Sequence, residues 1–380
     1  VRILFTFAGG SGHFEPLTPI ARAAGAAGHE VAVVGRPAMV PAIEQAGFTA
    51  FATGSDAASG PTITPLLELS AEREDRVLRD GFARWIARER AAGILALCAE
   101  WQPDVIVGDE VDFGAMVAAE RLRIPQATVI VTAAGSFVRS VVVAEALNEL
   151  RAEHGLPPDP ELLMLSRYLV LSPVPPSFRD PAFPLPATAH AIRPAALDPR
   201  PGDALPPWVE ELDGAPTVWL SLGTVFNLES GDLFPRVLAG LQDLPINVVV
   251  TVGRQLDPGH LGPQPANVHI ERYLSQSLLL PQCDLVVSHG GSGSVIGALA
   301  YGMPLVVLPM GADQPLNAAR AEALGVARVL DAVRASPELV QTAVGEVLAN
   351  PSYRQAAGRI RDEIAALPGP AHAVTLLERL

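Results

Sequence analysis

An apolar run from Val1 to Phe7 meets Ala8-Gly9-Gly10-Ser11-Gly12 and then an isolated histidine, His13, ahead of a helical stretch near Pro16. A strand that turns through small residues directly into a helix is how a doubly wound α/β domain opens, and few other folds accept it. The alternation continues along the first half. Ile3–Phe7, Val31–Val34, Thr49–Phe51, Asp104–Val107 and Ala127–Val131 read as strands with helical segments between them, which predicts a parallel sheet covered on both faces. Ser70–Glu100 predicts a long helical insertion beyond the minimal unit.

Between about Pro173 and Pro207 proline becomes dense and periodicity fades, which predicts an irregular connection. Alternation then resumes, with strands expected at Thr217–Ser221, Asn247–Thr251, Val268–Ile270, Leu285–Ser288, Leu305–Leu308 and Ala327–Leu330. A chain of 380 residues is long for one core. The expectation is therefore an α/β protein of two doubly wound, Rossmann-like parallel-sheet domains, residues 1–200 and 201–360. A C-terminal helix within 361–380 is expected to pack back on the first domain. Ligands in such sheets sit at the carboxyl ends of strands where the strand order reverses.

Composition removes several functions. The net charge of −14 argues against nucleic acid or an anionic membrane as the main partner. No apolar run approaches the roughly 18 residues of a membrane span, and the N-terminal strand carries no signal-peptide pattern, so a cytoplasmic protein, monomeric or homodimeric, is expected. Cys98 and Cys283 sit far apart in apolar runs and read as small core residues. The sequence holds no lysine, so a Walker-type phosphate loop and any lysine Schiff base are excluded.

The first loop fails as a dinucleotide fingerprint. Gly10-Ser11-Gly12-His13-Phe14-Glu15 lacks the third glycine, and the second strand ends in Gly35-Arg36 where a ribose-binding acid belongs. His13 needs another role. In "PDVIVGDE" the fourth strand ends near Asp109, and first and fourth strands are neighbours at the switch point, so Asp109 can hold one nitrogen of His13. Asp112 is the rival partner, and a helix cap is the plain structural alternative for His13.

The second half carries "CDLVVSHGGSGSVIGALAYGMPLVVLPMGADQPLNAARAEALG". A buried strand ends at Ser288, and His289-Gly290-Gly291-Ser292-Gly293-Ser294 runs into a helix. Small residues let the backbone approach an anion, and the first helical turn points free N–H groups and a partial positive charge at it. Ser221, Gly223 and Thr224 of "WLSLGTVF" end the first strand of this half and are expected to face the same anion.

On these residues the chain resembles the GT-B glycosyltransferases that use nucleotide-sugar donors, in the actinobacterial natural-product branch related to the plant glucosyltransferases. The likeness runs through the Gly-His loop, the proline-rich connection, "PTVWLSLGT", "HGGSGS" and "DQPLNA". It implies an acceptor site in the first domain and a donor site in the second. His13 matches the family's general base and Asp109 its orienting acid. His289 and Ser294 match diphosphate contacts, with Gly290, Gly291, Ser292 and Gly293 in the same loop. Asp313 and Gln314 match the pair that holds the sugar hydroxyls. Tyr273, Leu274 and Ser275 match the segment that frames the base, and Arg254 is placed with them on the donor side. Gly12, Phe82, Trp85, Phe113 and Phe137 are the acceptor candidates, with ordinary core packing as the equal alternative for the aromatics, and Ala52–Glu100 and Ala134–Ala182 are the expected pocket walls.

Two departures matter. The plant pattern has Trp at or near Tyr273. Eight residues after the motif histidine, where that pattern has a ribose-binding glutamate, this chain has Gly297. A glycine cannot reward a ribose 2′-hydroxyl, so a thymidine diphosphate sugar is the expected donor, with helix packing as the competing reason for the glycine. The resemblance implies an inverting, metal-independent transfer of a sugar to a hydroxyl of a hydrophobic aglycone, with no cofactor. Alternatives are a uridine diphosphate donor, a nucleotide-sugar 2-epimerase, or a non-catalytic partner protein that has kept the fold.

Overall fold

The computed structural model describes residues 1–56, 62–194, 202–212 and 214–380. Strands β1 (Arg2–Thr6), β2 (Glu30–Gly35), β3 (Thr49–Ala52), β4 (Val105–Asp109), β5 (Gln126–Val129), β6 (Leu169–Ser172) and β7 (Ala189–Ala191) form one all-parallel sheet in the order β3-β2-β1-β4-β5-β6-β7. Strands β8 (Thr217–Ser221), β9 (Asn247–Thr251), β10 (Val268–Glu271), β11 (Leu285–Ser288), β12 (Leu305–Val307) and β13 (Ala327–Val329) form the second, in the order β10-β9-β8-β11-β12-β13. The order reverses between β1 and β4 in the first sheet and between β8 and β11 in the second. The GT-B arrangement of two Rossmann-like sheets is thus present.

Alternation along β1 decides which helices pack where. Ile3, Phe5 and Phe7 face a core shared with Leu17, Ile20 and Val374, whereas Leu4 faces Ile94, Ile106 and Ala118 on the other side. Each such fully buried side chain contributes roughly 1.5–3 kcal/mol. The second sheet buries Val218, Leu220, Val248 and Val250 against the helices Leu233–Leu241 and Pro337–Ala349.

Three details depart from the sequence reading. The proline-dense connection contains β7, which pairs in register with β6 (Leu171 opposite His190). Neither strand was expected: β7 exists because the sheet edge supplies its hydrogen bonds, not because its own sequence favours a strand. Residues 62–69 belong with the second unit, since the Thr64 N–H donates to Leu228 O, Thr64 O accepts from the Gly231 N–H, and Leu66 packs on that unit's core. The chain's final crossing also comes later than 361. The helix Pro351–Ala366 stays in the second unit, and Pro370–Leu377 completes the core of the first.

The expected long helix is Ala71–Arg76, then π-helical turns over Val77–Ile86, then Ala87–Trp101. A wide turn of this kind re-aims side chains without ending the helix. No helix among the described residues is long and apolar enough to cross a membrane.

Candidate active site

Asp109 is the last residue of β4, and its carboxylate is fully buried. Oδ1 accepts the Val111 N–H at 2.7 Å, and Oδ2 accepts the Ala8 N–H at 3.0 Å. The carboxylate is therefore pinned by backbone before any side chain reaches it. Nδ1 of His13, in the short turn of helix after β1, lies 3.0 Å from the same Oδ2. A proton on Nδ1 directed at the carboxylate makes Nε2 the basic nitrogen. The imidazole side chain is 26% exposed.

Two further features seat this ring. A Cβ at Gly9 would lie 2.1 Å from His13 Cδ2 and 2.5 Å from Nε2, so the imidazole occupies space that only a glycine leaves. On the ring's face Phe82, carried by the π-helical turns, stacks at 6.2 Å and 19°. Phe82 is thus beside the imidazole. Trp85, on the same turns, is 52% exposed, Gly12 is exposed, and Phe137 is partly buried at the edge of the Leu78–Val143 cluster. Phe113 requires correction. It was expected to line the acceptor pocket, but it is fully buried among Leu78, Met116 and Leu147, as the first residue of the helix Phe113–Leu122.

Asp112, the rival partner for His13, is committed elsewhere. It receives Arg90 Nε at 3.2 Å and Nη2 at 2.5 Å, and it caps Phe113–Leu122 through the Ala115 N–H. The neighbouring Glu110 accepts the N–H groups of Val131 and Thr132. Burial raises its pKa above the ordinary carboxylate value, and the charge of Arg179 opposes the shift.

In the second unit, β8 and β11 are paired, Ser221 opposite Ser288, so their terminal loops emerge side by side. Each serine is spent on its own loop: Ser221 Oγ accepts the Gly223 N–H at 3.4 Å and Ser288 Oγ the Gly290 N–H at 3.1 Å. Gly223 and Gly290 take left-handed φ values of 81° and 86°, which favour glycine. His289 is buried between glycines. A Cβ at Gly223 or at Gly291 would lie 2.6 or 2.5 Å from its Nε2. Its buried Nδ1 has no hydrogen-bond partner among the described residues. Burial pushes the imidazole down to about 4, with the Ser221 backbone pulling the other way, so at neutral pH it is an uncharged hydrogen-bonding group. Gly291 begins the helix Ser292–Ala300 without a side-chain cap, leaving first-turn N–H groups for an anion. Thr224 is exposed beside this turn, Gly293 is exposed, and Ser294 is buried.

Asp313 precedes the helix Gln314–Ala323, and its Oδ2 receives Ser292 Oγ at 2.6 Å and Asn317 Nδ2 at 2.7 Å. Gln314 is almost fully buried, and its side-chain oxygen accepts the N–H groups of Met310 and Gly311. That oxygen clamps the loop before the helix, in which Ala312 holds a left-handed φ of 50°. At the ends of β9 and β10, the Arg254 guanidinium stands 3.9 Å over the Tyr273 ring, which is 37% exposed. Leu274 and Ser275 are buried, so Tyr273 and Arg254 carry the open surface of this segment. Sequence reasoning missed Gly9, Arg90 and Asn317. For Asn317 a signal existed, the one-turn spacing from Asp313 in "DQPLNA".

Two parallel sheets, with an Asp–His pair at one switch point and a glycine-seated histidine before a helix N-terminus at the other, define a GT-B glycosyltransferase. The models for the erythromycin biosynthesis protein CIII-like N-terminal and C-terminal domains match residues 22–182 and 235–380. The chain belongs to that family, within the actinobacterial antibiotic glycosyltransferases. It is 31% identical to the TDP-daunosamine transferase DnrS of Streptomyces peucetius, over all of this chain and 97% of that one. It is 30% identical to the 4'-demethylrebeccamycin synthase of Lentzea aerocolonigenes, over all of this chain and 99% of that one. Among solved structures, the glycosyltransferase VinC in complex with DTDP matches with a TM-score of 0.78 and 25% identity, covering 100% of this chain and 99% of that one. SnogD from Streptomyces nogalater matches with a TM-score of 0.77 and 26% identity, with the same coverage.

Proposed function

We propose that this enzyme transfers a sugar, by inversion and without a metal, from a thymidine diphosphate donor to a hydroxyl of a hydrophobic natural-product aglycone. The observation that carries the reading is the 3.0 Å contact between His13 Nδ1 and the backbone-pinned Asp109. Nε2 takes the acceptor's proton as its oxygen attacks the anomeric carbon. The bond from that carbon to the diphosphate oxygen breaks, and the leaving group takes the electron pair. Asp109 stabilises the imidazolium that forms. On the donor side the leaving diphosphate meets neutral His289 and the N-terminus of Ser292–Ala300, where hydrogen bonds and the helix dipole take up charge that lysine or a metal would otherwise hold. Asp313 holds a sugar hydroxyl.

The thymidine preference is supported by Gly297, a buried helix residue with no carboxylate to offer a 2′-hydroxyl, and by the DTDP bound to VinC. The aglycone class is supported by the relatives' names. The test is turnover of His13→Ala with a hydroxyl acceptor. A fall of at least about 10² is expected, the low end for a positioned base, with thymidine diphosphate affinity unchanged. Nucleotide affinity that collapses with turnover overturns the assignment of His13.

A further inference from the structure

The acid assigned to the donor sugar is itself held in place. Asn317 is fully buried, and its Nδ2 lies 2.7 Å from Asp313 Oδ2, 3.0 Å from the Gly290 carbonyl and 3.1 Å from Ser292 Oγ. Ser292 Oγ in turn donates to Asp313 Oδ2 at 2.6 Å. One amide therefore ties together the turn after β11, the first residue of the helix Ser292–Ala300, and the residue that precedes Gln314–Ala323. The tie is local to the sequence on one side only. Asp313 and Asn317 are one helical turn apart, whereas Gly290 and Ser292 lie on a different strand-to-helix connection.

A serine hydroxyl has one proton to give. In Ser292 that proton is directed at Asp313, so the side chain is not a phosphate donor even though its loop reads as a phosphate turn. From this geometry we infer that Ser292 and Asn317 are positioning residues for the donor sugar. They fix one oxygen of Asp313, aim the carboxylate at a sugar hydroxyl, and set it in register with the diphosphate turn. The inference rests on the reading of Asp313 as the acid that holds the sugar. It assigns to Ser292 a role different from that of its neighbours His289 and Ser294, and gives Asn317 a role that the motif reading did not.

Calorimetric titration with two probes, thymidine diphosphate and thymidine diphosphate glucose, tests it on the full chain. A misaimed charged hydrogen bond predicts that Ser292→Ala and Asn317→Ala each weaken the sugar nucleotide about tenfold, while thymidine diphosphate stays within about twofold of wild type. Ser292→Thr keeps a hydroxyl and restores the sugar nucleotide. Asn317→Asp sets a second carboxylate against Asp313 and exceeds the loss of the alanine variant. Equal weakening of both probes would make the cluster a structural part of the turn and overturn the inference. An unchanged ratio of the two affinities overturns it as well. Wild-type protein that binds thymidine diphosphate but not the sugar nucleotide removes the sugar-holding role alone, whereas binding of neither probe refutes the donor reading itself.

Discussion

Gly9→Ala is a sharp probe of the proposed base, because it touches neither the base nor its acid chemically. The added methyl would lie 2.1 Å from Cδ2, 2.5 Å from Nε2 and 2.6 Å from Cγ of His13. An ordinary contact begins at 3.4 Å, so the ring must retreat by roughly 3.4 minus 2.1, or 1.3 Å. Gly9 is not among the residues with left-handed φ, so the effect is steric and not a backbone penalty. A retreat of that size breaks the 3.0 Å bond from Nδ1 to Asp109, which has no freedom to follow because two backbone N–H groups hold it. Displacement by about 1 Å can cost 10² in rate, and a positioned base supplies about 10²–10⁴. Gly9→Ala is therefore expected to lose at least about 10² in kcat, approaching His13→Ala. Thymidine diphosphate affinity, which the proposal assigns to the second unit, should not move. The double variant should be no slower than His13→Ala, because both changes remove one interaction. Steady-state turnover with a hydroxyl acceptor, paired with calorimetry and a thermal melt, measures all three. Turnover above about a tenth of wild type, a gap of less than roughly 1.4 kcal/mol, would refute the argument. So would losses that multiply in the double variant.

The remaining expectations concern the donor side. The folded-state pKa of His289, about 4, lies below the ordinary 6.5, so between those values the unfolded chain binds the extra proton and stability falls as pH falls. The full interval corresponds to about 3 kcal/mol, and His289→Gln should flatten the unfolding free energy between pH 7 and pH 4; an unaltered acid limb would disprove the assignment. Activity should survive exhaustive chelation, because the proposed diphosphate contacts, the helix terminus and neutral His289, need no metal; full loss restored by magnesium or manganese contradicts this. Wild-type protein should favour thymidine over uridine diphosphate, since a charged hydrogen bond to a 2′-hydroxyl contributes roughly 1.5–3 kcal/mol and Gly297 offers none. Uridine diphosphate bound at least about tenfold tighter would return Gly297 to packing alone.

Although β6 (Leu169–Ser172), buried throughout, escaped the sequence reading, the most legible strands are apolar runs stopped by turn residues. Val31–Val34, Asn247–Thr251 and Leu285–Ser288 are of this kind. Strand β7 is not. Thr188-Ala189-His190-Ala191 has no pattern of its own and becomes a strand only through pairing with β6. The π-helical turns were illegible for a different reason: one extra residue per turn leaves the same helix-forming composition. Their effect on the site is large, since they place Phe82 over His13. Phe113 was misjudged because an aromatic residue at a helix start near a strand end looks alike in a pocket wall and in a core. His13 and Asp109 could be paired from sequence because strand order alone brings β1 and β4 together. Asn317 could be placed against Asp313 by its one-turn spacing, but not against Gly290 and Ser292, which come from another connection.

The two histidines occupy matching places in the two sheets and meet different surroundings. Both follow a strand at a switch point, and both rings fill space beside glycines, Gly9 for His13 and Gly223 with Gly291 for His289. Their surroundings differ in one respect. His13 faces a carboxylate fixed by backbone, which holds Nδ1 toward the acid and leaves Nε2 for the proton transfer proposed above. His289 is fully buried, has no carboxylate among the described residues acting on it, and is held uncharged down to about pH 4. A neutral ring can donate to an anion without gaining or losing a proton during turnover. On the proposed reading, the same side chain is sorted into base and hydrogen-bonding group by the presence or absence of a single carboxylate. Placing a carboxylate beside His289 would be expected to raise its pKa, and it would also set a negative charge at the proposed diphosphate site.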